Sequence, residues 1–358
     1  MAAAGINKQI LDVLRENHLP EAYDLEEMRD LIERFLNEDK FSKRTKMAAA
    51  ISKQALKRHK KNGGLHPFVS RMIDIERGVQ HFSKSLRDHI SHSVYVYLLG
   101  LAFIEKTQHF STIDPLSWKI AALLHDVGYP PEWFANSIKE YLDEVSKASG
   151  TPSNDNTKIR YSSKIHGIEL LKFSTVDAFQ IIDDRLREWD IHLTPTRPTI
   201  RSVFEKDLEE GKINHGILSS LTILRVVDSL YLQNNLERME NMRDGDNLDW
   251  GSRCFSRQII EAVAAVSTHA ILNEIDRIRV QRAPVAHLLV LCDTLQLWSR
   301  YSPKRKIYDP STVSIDFGIN QILCELAVDD RDFVEVECVV NNKLHSENLR
   351  IQVHKRND

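Results

Sequence analysis

Residues Val94 to Ile104, VYVYLLGLAFI, form the longest apolar run of the chain. A helix that crosses a bilayer needs about 20 apolar residues, so this run is too short to span and belongs inside a globular core. It is headed by Arg87-Asp88-His89-Ile90-Ser91-His92-Ser93, which opens the run as a helix. His89 and His92 stand three residues apart and so share one helical face. An apolar helix that brings imidazoles to one end constrains the fold more than any other feature of the sequence.

A second run makes the same construction sharper. Ala121-Ala122-Leu123-Leu124 ends in His125-Asp126, with Gly128, Pro130 and Pro131 as a helix stop. An imidazole and a carboxylate at the end of a buried helix can enter one cavity and share a metal, because neutral nitrogen and carboxylate oxygen suit zinc, iron, manganese or nickel. An isolated pair of this kind is more often a buried histidine hydrogen-bonded to its neighbour. Here the pair has company in Lys164-Ile165-His166-Gly167, Asn214-His215-Gly216 and Thr268-His269, each at the edge of an apolar run. Asp293 lies within HLLVLCDTLQLWSR, where an unpaired carboxylate is costly to bury.

The order His92, His125-Asp126, Asp293 resembles the H…HD…D signature of the HD superfamily of metal-dependent phosphohydrolases, over about residues 85 to 300. HSVYVYLLGLAF is similar to the first motif, AALLHDVG to the second and LLVLCDTLQLWSR to the last. The resemblance implies a helical bundle with a first metal on His92, His125, Asp126 and Asp293, with His89 as a neighbour. It also implies a second metal bridged by Asp126 and held by His166, His215 and His269, although the spacings are wider than in compact two-metal branches. The implied cofactors are one or two divalent ions per chain, from among manganese, iron, zinc, nickel and magnesium. The implied activity is that of a nucleotidase or phosphodiesterase, in which a metal-activated hydroxide attacks a nucleotide-like phosphoester. His125 and Asp126 stand at its catalytic centre. Gly128-Tyr129-Pro130 spells the triplet of the cyclic-di-GMP phosphodiesterase branch, where it lies well downstream of the pair, so it carries no substrate assignment here.

A phosphate also needs cationic clamps, and Arg87, Lys164, Arg225 and Arg300 lie close to the motifs, each with the plainer reading of a solvated helix charge. The basic run Lys53 to Lys61 has the same plain reading, and nucleic acid is not expected as a partner. Trp118 and Trp298 flank the motifs and are expected in the core. The same ligands leave open a di-iron oxygenase or a non-catalytic nucleotide-binding regulatory protein.

The rest of the sequence frames this region. Among 358 residues, 42% are hydrophobic and 28% charged, with a net charge of −3, which gives no electrostatic reason to expect nucleic acid or an anionic membrane. Cys254, Cys292, Cys324 and Cys338 form no C-x-x-C pair, so neither a disulfide framework nor a cysteine zinc site is expected. A reducing compartment fits, the N-terminus has no signal-peptide core, and the expected location is cytoplasmic. Residues 1–66 are expected as a helical extension, with Leu25, Met28, Leu31, Ile32 and Leu36 on one face. Residues 67–301 make the helical metal-binding domain, interrupted by loops over Ser146 to Ser163 and His192 to Thr199. Residues 302–358 make a small β-containing tail, because TVSIDFGI, DFVEVECVV and LRIQVHK alternate apolar and polar residues. The expected class is mainly α, the expected ligand a small phosphoester, and the terminal regions are candidates for homo-oligomer contacts.

Overall fold

A computed structural model describes residues 5–16, 25–56, 88–148, 177–241, 256–299 and 307–356, with a few single positions between them. The architecture is mainly helical, with a small sheet at the C-terminal end. The N-terminal helices are α1 (Gly5–Glu16), α2 (Leu25–Leu36) and α3 (Phe41–Ala55). The central set is α4 (His89–Lys106), α5 (Pro115–Leu124), α6 (Tyr129–Ala148), α7 (Ala178–Glu188), α8 (Ile200–Glu209), α9 (His215–Asn241), α10 (Arg257–Ala270) and α11 (Pro284–Leu295). None of the described helices is long and apolar enough to cross a membrane.

The apolar run becomes α4, buried along nearly its whole length, as a helix that is apolar on all faces must be. Asp88 caps it by accepting from the Ser91 amide. Helix α5 starts on the Asp114 cap with Pro115 in its first turn. The two helices cross closely at Gly100, where any Cβ would enter the Trp118 ring, and the Trp118 indole donates to the Tyr97 carbonyl at 3.2 Å. Trp118 and Trp298 are both fully buried, as expected.

On α2, Leu25, Met28, Ile32 and Leu36 are buried and Leu31 is half-buried, as the spacing requires. These residues join the same apolar cluster as α4, α5, α10 and α11, so α1 to α3 form part of its wall. The 192–199 segment is irregular and is held by a bridge from Leu193 to Ile275 and by Arg197, which pairs with Asp207 and Glu274. Of the 146–163 segment, all but the end of α6 lies outside the described residues, as do Cys254 and the 57–61 part of the basic run. Cys292, Cys324 and Cys338 are free thiols.

The C-terminal sheet has the order β2 (Val313–Phe317), β3 (Gln321–Leu326), β5 (Arg350–Lys355), antiparallel between the first two and parallel between the last two. A short parallel pair joins β1 (Ile278–Arg279) to β4 (Leu344–His345). Two of the three expected strands are present, as β2 and β5, but DFVEVECVV lies within helix α12 (Asp330–Lys343). The reason is topological. Parallel strands β3 and β5 need a crossover, which is usually helical. Asp329 caps α12 by accepting from the Asp332 amide, Val336 and Val340 face inward four residues apart, and Val334 is left 58% exposed.

Candidate metal centre

Five helices, counting α9 with His215 in its first turn, deliver the ligand-type side chains to one place. His92 comes from the first turn of α4, His125 caps the end of α5, His269 ends α10 and Asp293 sits near the end of α11. Asp126 follows the cap, and α6 begins only three residues later, with Pro130 and Pro131 in its first turn. The proline pair therefore starts a new helix as well as closing α5. Gly128 has a packing role of its own. A Cβ there would strike the His215 carbonyl at the start of α9, and the Gly128 amide donates to Ser219 Oγ at 2.8 Å.

His92, His125 and Asp126 each offer one ligand atom within 4.8 Å of the others, a group that can hold a metal ion. His92 Nε2 lies 2.7 Å from Asp293 Oδ1 and 3.3 Å from His125 Nε2. His269 Nε2 meets the other oxygen of Asp293 at 2.8 Å. Asp126 Oδ2 is 2.8 Å from His89 Nδ1, and its Oδ1 is 3.4 Å from His215 Nε2. Each carboxylate thus spans two imidazoles. The ring of His89 also lies against Tyr129, with centroids 3.8 Å apart.

The proton inventory decides what these contacts mean. His125 Nδ1 faces the Ala122 carbonyl at 2.9 Å, and a carbonyl can only accept, so Nδ1 carries the hydrogen. His215 Nδ1 faces Glu132 Oε2 at 2.5 Å, and His92 Nδ1 faces Gln296 Oε1 at 2.5 Å. All three rings spend their Nδ1 hydrogen away from the centre. As neutral rings they would turn only lone pairs toward Asp126 and Asp293, and lone pairs at such distances repel. A proton or a metal ion must therefore stand between them.

The electrostatics agree with that inventory. Burial opposes charge on His125, yet Asp126 and Asp293 outweigh it and raise its pKa. Burial likewise opposes charge on His215, but Asp126 and Glu132 push it up to about 10. Burial works against ionised Asp126, and His125 and His89 more than offset it, holding the carboxyl well below its ordinary range. Asp293 is held low in the same way, against burial, by His269, His125 and His92. Cys292, next to Asp293, is driven the opposite way by burial and then by the Asp293 charge, which keeps its thiol protonated. The centre therefore presents nitrogen and oxygen donors without a thiolate.

The expected residues fall into three groups. His92, His125, Asp126, His215, His269 and Asp293 are brought together. His166, Arg87, Lys164 and Arg300 lie outside the described residues. Arg225 pairs with Asp228 at 3.1 Å on its own helix, and ten residues of α9 place it about 15 Å along the axis from His215. It is not part of the cluster. Two residues that fix these rings, Glu132 and Gln296, are not among the expected ones. Gln296 stands three residues after Asp293, a spacing that marks a shared helix face, whereas Glu132 has no comparable signal.

Beside Asp126 and His89 lies a small, mostly apolar cleft of about 40 Å³, with Ser52 of α3, Ile73, Ser93 and Pro130 on its walls. Comparison with protein-family models, with curated proteins and with solved structures finds no match to this chain.

Proposed function

We propose that this protein is a metal-dependent phosphohydrolase acting on a small phosphoester of the nucleotide type. The observation that carries the reading is the convergence of His92, His125 and His215 Nε2 on the oxygens of Asp126 and Asp293, with every Nδ1 hydrogen committed elsewhere. Such a set holds a cation, and its nitrogen and oxygen chemistry suits manganese, iron, zinc or nickel. A divalent ion held there lowers the pKa of its water toward neutrality and screens charge on a phosphate.

The chain's own residues do the remaining work. His92, His125, Asp126 and Asp293 form the first position, and Asp126 Oδ1 with His215 Nε2 offers a second. Were two ions held, Asp126 would be the residue shared between them, because its two oxygens face different imidazoles. The small apolar cleft beside it limits water at that side.

The test combines elemental analysis of the purified protein with phosphate release from a panel of nucleotides, phosphomonoesters and phosphodiesters, with and without manganese. His125→Ala and Asp126→Ala should remove bound metal and turnover while helical content by circular dichroism persists. Full turnover in either variant would overturn the assignment. Oxygen consumption with iron(II), without phosphate release, would redirect it to an oxygenase.

A further inference from the structure

A run of hydrogen bonds with fixed polarity connects the N-terminal helices to the first histidine of the centre. The Leu36 carbonyl, at the end of α2, accepts from Asn7 Nδ2 of α1 at 2.8 Å. Asn7 Oδ1 accepts from the Trp298 indole at 2.9 Å. The Trp298 carbonyl accepts from Gln296 Nε2 at 2.6 Å, and Gln296 Oε1 faces His92 Nδ1 at 2.5 Å. A backbone carbonyl never donates and an indole nitrogen never accepts, so both amides have one permitted orientation. The terminal consequence falls on His92, whose Nδ1 must donate, which leaves Nε2 as the ring atom that meets Asp293 through a proton or a metal ion.

Asn7, Gln296 and Trp298 are all buried, at 3% exposure or less, so water does not compete for these bonds. Each amide would be costly to bury without both partners. Their presence along a path from α1 to the metal centre is better explained by a task than by stability, because apolar residues could fill the same space.

We propose that Gln296 is a positioning residue that holds His92 in its Nδ1–H tautomer, and that Asn7, acting through Trp298, fixes Gln296. The segment read as an N-terminal extension is then part of the machinery that prepares the first ligand. The metal-affinity consequence rests on the metal-centre reading above; the tautomer itself does not.

The experiment compares wild type with Gln296→Met, Gln296→Glu and Asn7→Leu. The His92 tautomer is read from nitrogen-15 chemical shifts of metal-free protein at alkaline pH, where the ring has given up its second proton, and manganese or zinc affinity from calorimetry. Gln296→Met, which removes the acceptor, should mix the two tautomers and weaken metal binding roughly 10- to 100-fold. Gln296→Glu keeps an acceptor in place and should retain the Nδ1–H tautomer, with affinity within a few-fold of wild type. Asn7→Leu should give an intermediate shift at His92. An unchanged tautomer in Gln296→Met overturns the proposal. Should that variant fail to fold, loss of the Nδ1–H form in Gln296→Glu does so instead. If the tautomer responds as expected but wild type binds no metal, the positioning role stands and the metal-centre reading fails.

Discussion

Glu132 shows how much a single carboxylate beside a candidate ligand can decide. It accepts from both the His215 ring and the His215 backbone amide, at 2.5 and 3.2 Å, and so fixes the ring that faces Asp126. Outer partners of this kind typically change metal affinity by roughly 10- to 100-fold when lost. Glu132→Leu should therefore weaken the position served by His215 by about that factor, while His92, His125 and Asp293 keep theirs. Metal counting on His215→Ala checks the same partition, with one ion fewer than wild type if two are bound. An unchanged count with weakened affinity would leave a single shared ion. His92, His125, Asp126 and Asp293 were legible from sequence because a polar residue inside an apolar run must find a partner or a ligand to be buried there. Glu132 was not, since a glutamate in the first turn of a helix is ordinary on dipole grounds alone. Its partner is 83 residues away, and the sequence carries no mark of that contact.

At the scale of elements, the close approach of α4 and α5 sets the site's dimensions. Gly100 on α4 lies against Trp118, about two turns before the helix end that delivers His125. The Trp118 ring is fully buried and tied to the Tyr97 carbonyl, so it has little room to yield. Gly100→Ala should destabilise by about 1–3 kcal/mol through overpacking, despite the better helix propensity of alanine. Urea denaturation reads the loss, and an equal or higher midpoint would show that the two helices slide apart freely. Helix types were legible where the apolar period was long, as in α2 and α4. The period failed over 332–340, where alternating valines suggested a strand and the chain forms α12 instead. The demand for a helix there comes from the parallel pairing of β3 with β5, which alternation within one segment does not encode.

At the scale of the whole molecule, one buried ring outside the candidate metal centre contributes to acid sensitivity. His287 of α11 is fully buried, its Nδ1 donates to the Ile278 carbonyl at 3.2 Å, and burial depresses its pKa to about 4. The nearby His109 and His345 push in the same direction, and Phe110 packs on the ring. The native state therefore keeps His287 neutral while the unfolded chain protonates it near the ordinary histidine value. Its contribution is complete above about pH 6.5 and is lost as pH falls toward about 4, on the order of 2 kcal/mol by pH 5. Denaturation at pH 7 and pH 5 should show that loss in wild type and a smaller one in His287→Leu; equal losses would place the acid sensitivity elsewhere.

The N-terminal helices bear on the same global stability. Ile6, Ile10, Met28, Ile32 and Phe35 are buried in the cluster that also holds Tyr95 and Trp298, and Phe35 packs tilted against Tyr95 at 4.7 Å between centroids. The buried cluster includes residues on both sides of position 66. Removing residues 1–40 would strip apolar cover from α4 and expose the Trp298 indole that Asn7 accepts from. Deleting one large apolar side chain from a core costs about 2–5 kcal/mol, and this truncation deletes several at once, against a total stability of about 5–15 kcal/mol. The truncated chain should therefore fail to give a cooperative thermal transition and should bind no metal tightly. A truncated protein that melts cooperatively and binds metal like the full chain would show that the central helices are self-sufficient and that the N-terminal wall is dispensable.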